Sequence, residues 1–164
     1  MKYCINCLQN DLRPNTEFLS NGLCPACNYK KKSKDIDWNE REKILKNILI
    51  KTKNIKNKKN YDCILGVSGG KDSTRQALWL RDKFNLKILL ACLSYPPQQV
   101  TNTGTDNISN LINLGFDCYT MTLSPKTWKN LMKVSFLKYG NWAKSTELAL
   151  FSFVPRLALQ MDIP

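Results

Sequence analysis

Apolar residues in the second half of the chain gather into short continuous runs separated by amphipathic stretches, the alternation expected of parallel strands buried between helices. Runs at 61–67, 86–94 and 116–123 predict strands, and the stretches 72–84 and 106–114 predict the helices that cross between them. Gly115 is placed to end one helix in a left-handed cap. Ser124 and Pro125 start the next, which runs to about residue 138 and is closed by Gly140. A last helix is predicted over 145–161, bent at Pro155. Upstream, a helix is predicted over 38–53, with Asp37 as N-cap and Glu40 completing a capping box. Its stripe of Ile44, Leu45, Ile48 and Leu49 is expected to pack on a neighbouring domain. Residues 54–60, rich in Lys and Asn, read as an exposed connector.

This pattern is that of a doubly wound α/β domain over 61–164, preceded by a helix and basic linker at 36–60 and a small module at 1–35. Three strands are visible, and the alternation calls for a fourth after residue 164. The sequence therefore reads as a truncated domain, and the first strand, central in such folds, is expected to keep an open apolar edge prone to association.

The 164 residues are 43% apolar, enough for a core of ordinary size, and no run approaches the length of a membrane span. Residues 1–7 lack the charged lead and apolar core of a secretory leader, so membrane insertion is not expected and the cytoplasm is the default location. The net charge of +12 is unevenly placed: residues 30–59 carry 12 Lys and Arg against 4 Asp and Glu. Few aromatic side chains interrupt those Lys runs, which disfavours nucleic acid as a partner without excluding RNA and favours a solvated helix face and linker.

Four of the seven cysteines, Cys4, Cys7, Cys24 and Cys27, form two C-x2-C knuckles separated by sixteen residues. That spacing suits tetrahedral zinc. Pro25 and Gly22 supply the tight turns, and a chain without histidine offers four thiolates as its only full ligand set of this kind. Such a zinc site is closed and structural. Two disulfides or a redox pair are the alternatives. Cys63, Cys92 and Cys118 lie in predicted strands and read as small core residues.

The chemistry-bearing segment follows the first strand: Ser68, Gly69, Gly70, Lys71, Asp72 and Ser73 open a helix where a buried strand ends. Small residues let the backbone turn its N–H donors toward one anion, and the helix N-terminus adds partial positive charge. Lys71 supplies a full charge and Ser68 and Ser73 supply hydroxyls, while Asp72 can cap the helix, hold Mg²⁺, or do both. A Walker A loop would need Gly at 65 and Ser or Thr at 72, where Leu65 and Asp72 stand. The alternative is a glycine-rich turn that merely links strand to helix.

All six positions resemble the Ser-Gly-Gly-x-Asp-Ser loop of the PP-loop ATP pyrophosphatases, which have the adenine nucleotide alpha hydrolase-like fold. In that superfamily the loop holds the β- and γ-phosphates while the α-phosphate is attacked. GVSGGKDSTRQAL at 66–78, LSYPP at 93–97 and GNWAKSTE at 140–147, with the N-terminal cysteine pairs, resemble the N-acetyl sugar amidotransferase family over most of the chain. The resemblance implies ATP-dependent conversion of an acetamido group on a nucleotide sugar to an acetamidino group in lipopolysaccharide or surface-polysaccharide biosynthesis. It also implies partners: a glutaminase of the histidine-biosynthesis type that supplies ammonia, and a cyclase-like subunit. With no histidine, this chain cannot itself build a Cys-His-Glu glutaminase.

On this reading Lys71 and Asp72 are catalytic, ATP and pyrophosphate contact residues 68–73, and adenine lies near Val67 and Ser94 at the carboxyl ends of the first two strands. Asn141, Trp142, Ser145, Thr146 and Glu147 join polar groups to an aromatic platform suited to a sugar. Trp142 reads equally as core, and Ser145 with Glu147 reads equally as a helix cap. Arg75 either reaches phosphate or faces solvent. The competing enzyme reading is a tRNA thiolation or lysidine-type ligase, which needs an exposed sulfur-carrying cysteine if it thiolates. The non-enzymatic reading is a zinc and nucleotide interaction module.

Overall fold

A computed structural model describes residues 1–54 and 60–164, which divide into two compact units, 1–50 and 51–164. The connector expected at 54–60 lies, apart from its two ends, outside the described residues.

The first unit begins with an antiparallel bridge between Tyr3 and Asn10 and continues into helix α1, Pro25–Lys32. Pro25 takes the first helical position, where its missing N–H costs nothing, and Gly22 turns the chain at φ +75°. A short 3-10 turn, Ser33–Asp35, leads into α2, Trp38–Asn54. Asp37 caps α2 as expected, its carboxylate accepting from the Glu40 N–H at 3.0 Å. Along α2, Leu45 and Leu49 are half-buried and Ile44 and Ile48 are exposed.

In the second unit, three parallel strands stand in the order β1 (Cys63–Gly66), β2 (Ile88–Ser94), β3 (Asp117–Thr122). Gly66, Ala91 and Tyr119 share one level of the register. Helices α3 (Lys71–Phe84) and α4 (Asn102–Asn113) make the two crossovers, one packing on β2 and the other on β3. Two crossovers stepping in the same direction with right-handed connections lie on the same face. After β3 the chain changes face. Trp128 of α5 (Pro125–Tyr139) and Phe153 and Leu157 of α6 (Lys144–Met161) pack against Ala91 and Leu93. Side-chain alternation turns Leu90, fully buried, to the α3 and α4 face.

β2 is therefore the central strand, buried on both faces, and β1 lies at an edge. That edge is not bare: the Ile64 N–H donates to the Pro164 carbonyl at 2.9 Å, and Val154 of α6 lies over Gly66. A Cβ on Gly66 would stand 2.9 Å from Val154 Cγ2, so the glycine is what lets α6 approach. β3 is the other edge and mostly exposed; of the three cysteines read as core, Cys92 in β2 is buried, but Cys63 and Cys118 on the two edge strands are only half-buried.

Several ends fall close to expectation. Gly115 (φ +87°) follows α4 and Gly140 (φ +62°) closes α5. α4, however, starts four residues before the expected Asp106, because Thr101 caps it by accepting the Gly104 N–H at 3.1 Å. Pro155 sits inside α6. Among the described residues no helix is long and apolar enough to cross a membrane.

Candidate functional site

The sulfurs of Cys4, Cys7, Cys24 and Cys27 all lie within 4.8 Å of one another. Tetrahedral zinc with Zn–S bonds of about 2.3 Å sets its ligand sulfurs roughly 3.8 Å apart, so the cluster is of the size a metal ion needs. All four cysteines are free, and Cys7 and Cys24 approach at 3.7 Å, far beyond disulfide length.

Donors surround the sulfurs. Cys24 N–H and Asn6 N–H point at Cys4 Sγ (3.2 and 3.5 Å), Asn6 Nδ2 donates to Cys27 Sγ (3.2 Å), and Cys27 N–H donates to Cys24 Sγ (3.4 Å). The Cys24 N–H, foremost, lowers the Cys4 thiol to about 6 against the pull of burial. Cys7 goes the other way: the Gln9 N–H pulls it down, but hydrogen bonds with Cys27, Cys24 and Cys4, together with desolvation, push it up to about 12. Four thiolates this close repel, and a divalent cation is the group that relieves them. The donor set fits structural zinc, with no ligand position left for catalysis.

The second site is the loop between β1 and α3. Val67 is tied to the sheet through its N–H to Ala91 O (2.9 Å). Gly69 then takes φ +73° and packs on α4, where an added Cβ would meet the Asn107 backbone at 2.7 Å. Gly70, in extended conformation, is the N-cap residue of α3 and offers no side chain. Two hydroxyls satisfy the loop carbonyls: Ser73 Oγ donates to Gly70 O (3.1 Å) and Thr74 Oγ1 to Gly69 O (3.2 Å). Ser68 Oγ accepts from the Gly70 N–H at 3.4 Å.

The first intrahelical bond of α3 runs from the Thr74 N–H to Gly70 O, so the N–H groups of residues 71–73 precede it and no side chain caps them. Asp72, expected as a possible cap, does not serve as one. Lys71 and Asp72 are exposed and make no ion pair among the described residues. The result is an uncapped helix start flanked by one ammonium and one carboxylate, suited to an anion.

Ser94 ends β2 half-buried, its hydroxyl donating to Tyr95 O, and Tyr95 meets Trp128 edge-on at 5.1 Å. From Val154 at Gly66 to Pro164 at Ile64 the chain runs antiparallel to β1, so the start of α6 points toward the carboxyl ends of the strands. The α5–α6 turn is thus on the same side of the sheet as the 67–70 loop. No hydrogen bond joins residues 141–147 to residues 68–73 among the described residues.

Within that turn the candidate sugar residues divide. Trp142 is 64% exposed, which rules out the core alternative, and Glu147 is exposed too. Thr146 is buried and its hydroxyl donates to Ala143 O at 2.7 Å, so its role is to hold the start of α6. Ser145 is not the cap. Ala143 occupies that position, and the missing cap is supplied across the turn by Ser135 of α5, whose Oγ accepts the Ser145 N–H (3.0 Å) and donates to Asn141 O.

Ser135, Thr74 and Asn107 carry the local geometry, and sequence reasoning named none of them. Thr74 follows the Gly-Gly pair closely enough to have been inferred, but the other two act across elements. Ser135→Ala is expected to destabilise the second unit by about 1–3 kcal/mol in urea unfolding, because the buried hydroxyl is lost and a part-buried carbonyl and N–H lose their partner. A change below a few tenths would show that water replaces the hydroxyl.

No protein-family model matches the chain, and no curated protein matches it significantly.

Proposed function

We propose that this protein is an ATP-pyrophosphatase-type N-acetyl sugar amidotransferase, converting the acetamido group of a nucleotide-linked sugar to an acetamidino group in lipopolysaccharide or surface-polysaccharide biosynthesis. The observation that supports this most is the uncapped start of α3 beneath Gly69 and Gly70, with Lys71 and Asp72 unpaired beside it among the described residues. An acetamido carbonyl is a poor electrophile until its oxygen becomes a leaving group. In the proposed reaction that oxygen attacks the α-phosphorus of ATP, the α–β P–O bond breaks, and pyrophosphate departs toward residues 68–73. Ammonia then adds to the imidate carbon, AMP leaves with the former carbonyl oxygen, and the nitrogen protons are shed to solvent.

The protein's part is positioning and charge neutralisation. Backbone N–H groups of 71–73 and the Lys71 ammonium would hold the departing diphosphate, Asp72 would hold Mg²⁺, and adenine would lie over Val67 and Ser94. Asn141, Trp142 and Glu147 are the exposed groups of the α5–α6 turn left for the sugar. Ammonia would come from a separate glutaminase, with a cyclase-like subunit as companion, and zinc would hold the N-terminal module as a ribbon. The thiolating tRNA reading is disfavoured by Cys92, which is buried and whose thiol is pushed up by desolvation, the opposite of a sulfur carrier.

The test is to incubate the protein with ATP, ammonia and nucleotide sugars and to look for AMP and a sugar about one mass unit lighter. Lys71→Ala is expected to lower AMP formation by about 10²-fold or more while zinc content is unchanged. Release of ADP in place of AMP, or AMP release that depends on RNA, would overturn the proposal.

A further inference from the structure

Lys71, Arg75, Trp79 and Lys83 recur at intervals of four along α3, which places them in one ridge on a single side of the helix. All four line an open groove of about 570 Å³, bordered by Gly69 at its head and by Asn110 of α4. Its size is that of small-ligand sites. Arg75 and Lys71 are exposed and make no ion pair among the described residues, whereas Asp82, the one acid on the groove, is engaged by Arg81 at 2.7 Å. Trp79 is held in place, edge-on to Phe84 at 4.9 Å and with the Lys83 ammonium 5.5 Å from its ring centre, yet it remains 40% exposed.

A fixed indole with a guanidinium one turn away and an ammonium two turns away is complementary to a flat base carrying phosphates. Lys71 and Trp79 are eight residues apart, about 12 Å along the axis, and the row ends at the loop already described. We infer that the α3 groove binds a nucleoside diphosphate group, with its base on Trp79 and its phosphates on Arg75 at the Lys71 end. This rests on the amidotransferase reading and adds to it the docking place of the sugar's nucleotide, beside the loop and directing the sugar toward it. A single-stranded RNA would need a succession of stacking side chains, and among the described residues Trp79 is the only aromatic lining this groove.

Binding of UDP, CDP and GDP to the zinc-loaded full chain, measured by calorimetry, tests the inference. At least one is expected to bind, with affinity reduced about tenfold or more in Trp79→Ala and in Arg75→Ala and largely kept in Trp79→Phe, while ATP affinity is unchanged in all three. If none of the diphosphates binds in a Trp79-dependent way, or if only a 12-residue oligouridylate does, the inference is wrong. Trp79-dependent diphosphate binding without any ATP binding would leave the groove standing and sink the loop reading.

Discussion

Cys24→Ser is expected to unfold the N-terminal module while leaving the second unit folded, and chelation of metal from the unaltered protein should do the same. The buried cluster of that module is Cys4, Leu23, Cys24 and Cys27, with Phe18 half-buried against it. One leucine and part of a phenylalanine cannot offset the entropy of ordering some thirty residues, at roughly 1–2 kcal/mol for each backbone fixed. Metal coordination can supply on the order of 10 kcal/mol or more.

Cys24 is the most consequential of the four. It is 1% exposed, its Sγ caps α1 through the Cys27 N–H, and its own N–H donates to Cys4 Sγ. Serine would keep a polar atom there but not a thiolate. One zinc per chain in the parent and none in the variant, with amide-exchange protection lost in residues 1–35 and kept in β2, is the expected pattern. Affinity should also fall as pH is lowered, since every ligand must give up a proton to bind. A module that stays protected in excess chelator would show that its fold does not depend on metal.

Why the two sites were legible in sequence, and much around them was not, follows from where their information resides. The C-x2-C pairs and the Ser-Gly-Gly-Lys-Asp-Ser run are local: spacing alone fixes which atoms can converge, and the glycines at 69, 115 and 140 announce left-handed backbone wherever they fall. Strand order is not local. The run at 116–123 interleaves Asp117, Thr120 and Thr122 with its apolar residues, and β3 is an edge that shows most of its residues to solvent. Thr101 was hidden because the helix it caps opens with Asn102, Thr103, Gly104 and Thr105, poor in the apolar residues that reveal a period. Ser135 was hidden because its partners, Asn141 and Ser145, lie across a turn.

Gly69→Ala separates a loop that is merely glycine-rich from one whose shape is enforced. At φ +73° an L-residue pays about 1–2 kcal/mol for its left-handed backbone. The new Cβ would also stand 2.7 Å from the carbonyl carbon, oxygen and Cβ of Asn107, and a helix backbone cannot swing aside as a long side chain can. Such overpacking adds about 1–3 kcal/mol, so a total loss of about 2–5 kcal/mol is expected in urea unfolding, together with loss of ATP and pyrophosphate binding as the N–H groups of 71–73 are displaced. Gly70→Ala is the control one residue away. Gly70 has φ −70°, and a Cβ there would meet only Ser68 Oγ at 3.4 Å, so its stability should change by no more than about 0.5 kcal/mol. The contrast is the discriminating quantity: Gly69 is pinned between β1 and α4, whereas Gly70 fronts open space. Equal destabilisation by the two alanines would mean that α4 does not press on the loop. Wild-type pyrophosphate affinity in Gly69→Ala would mean that the donors of α3 bind no phosphate.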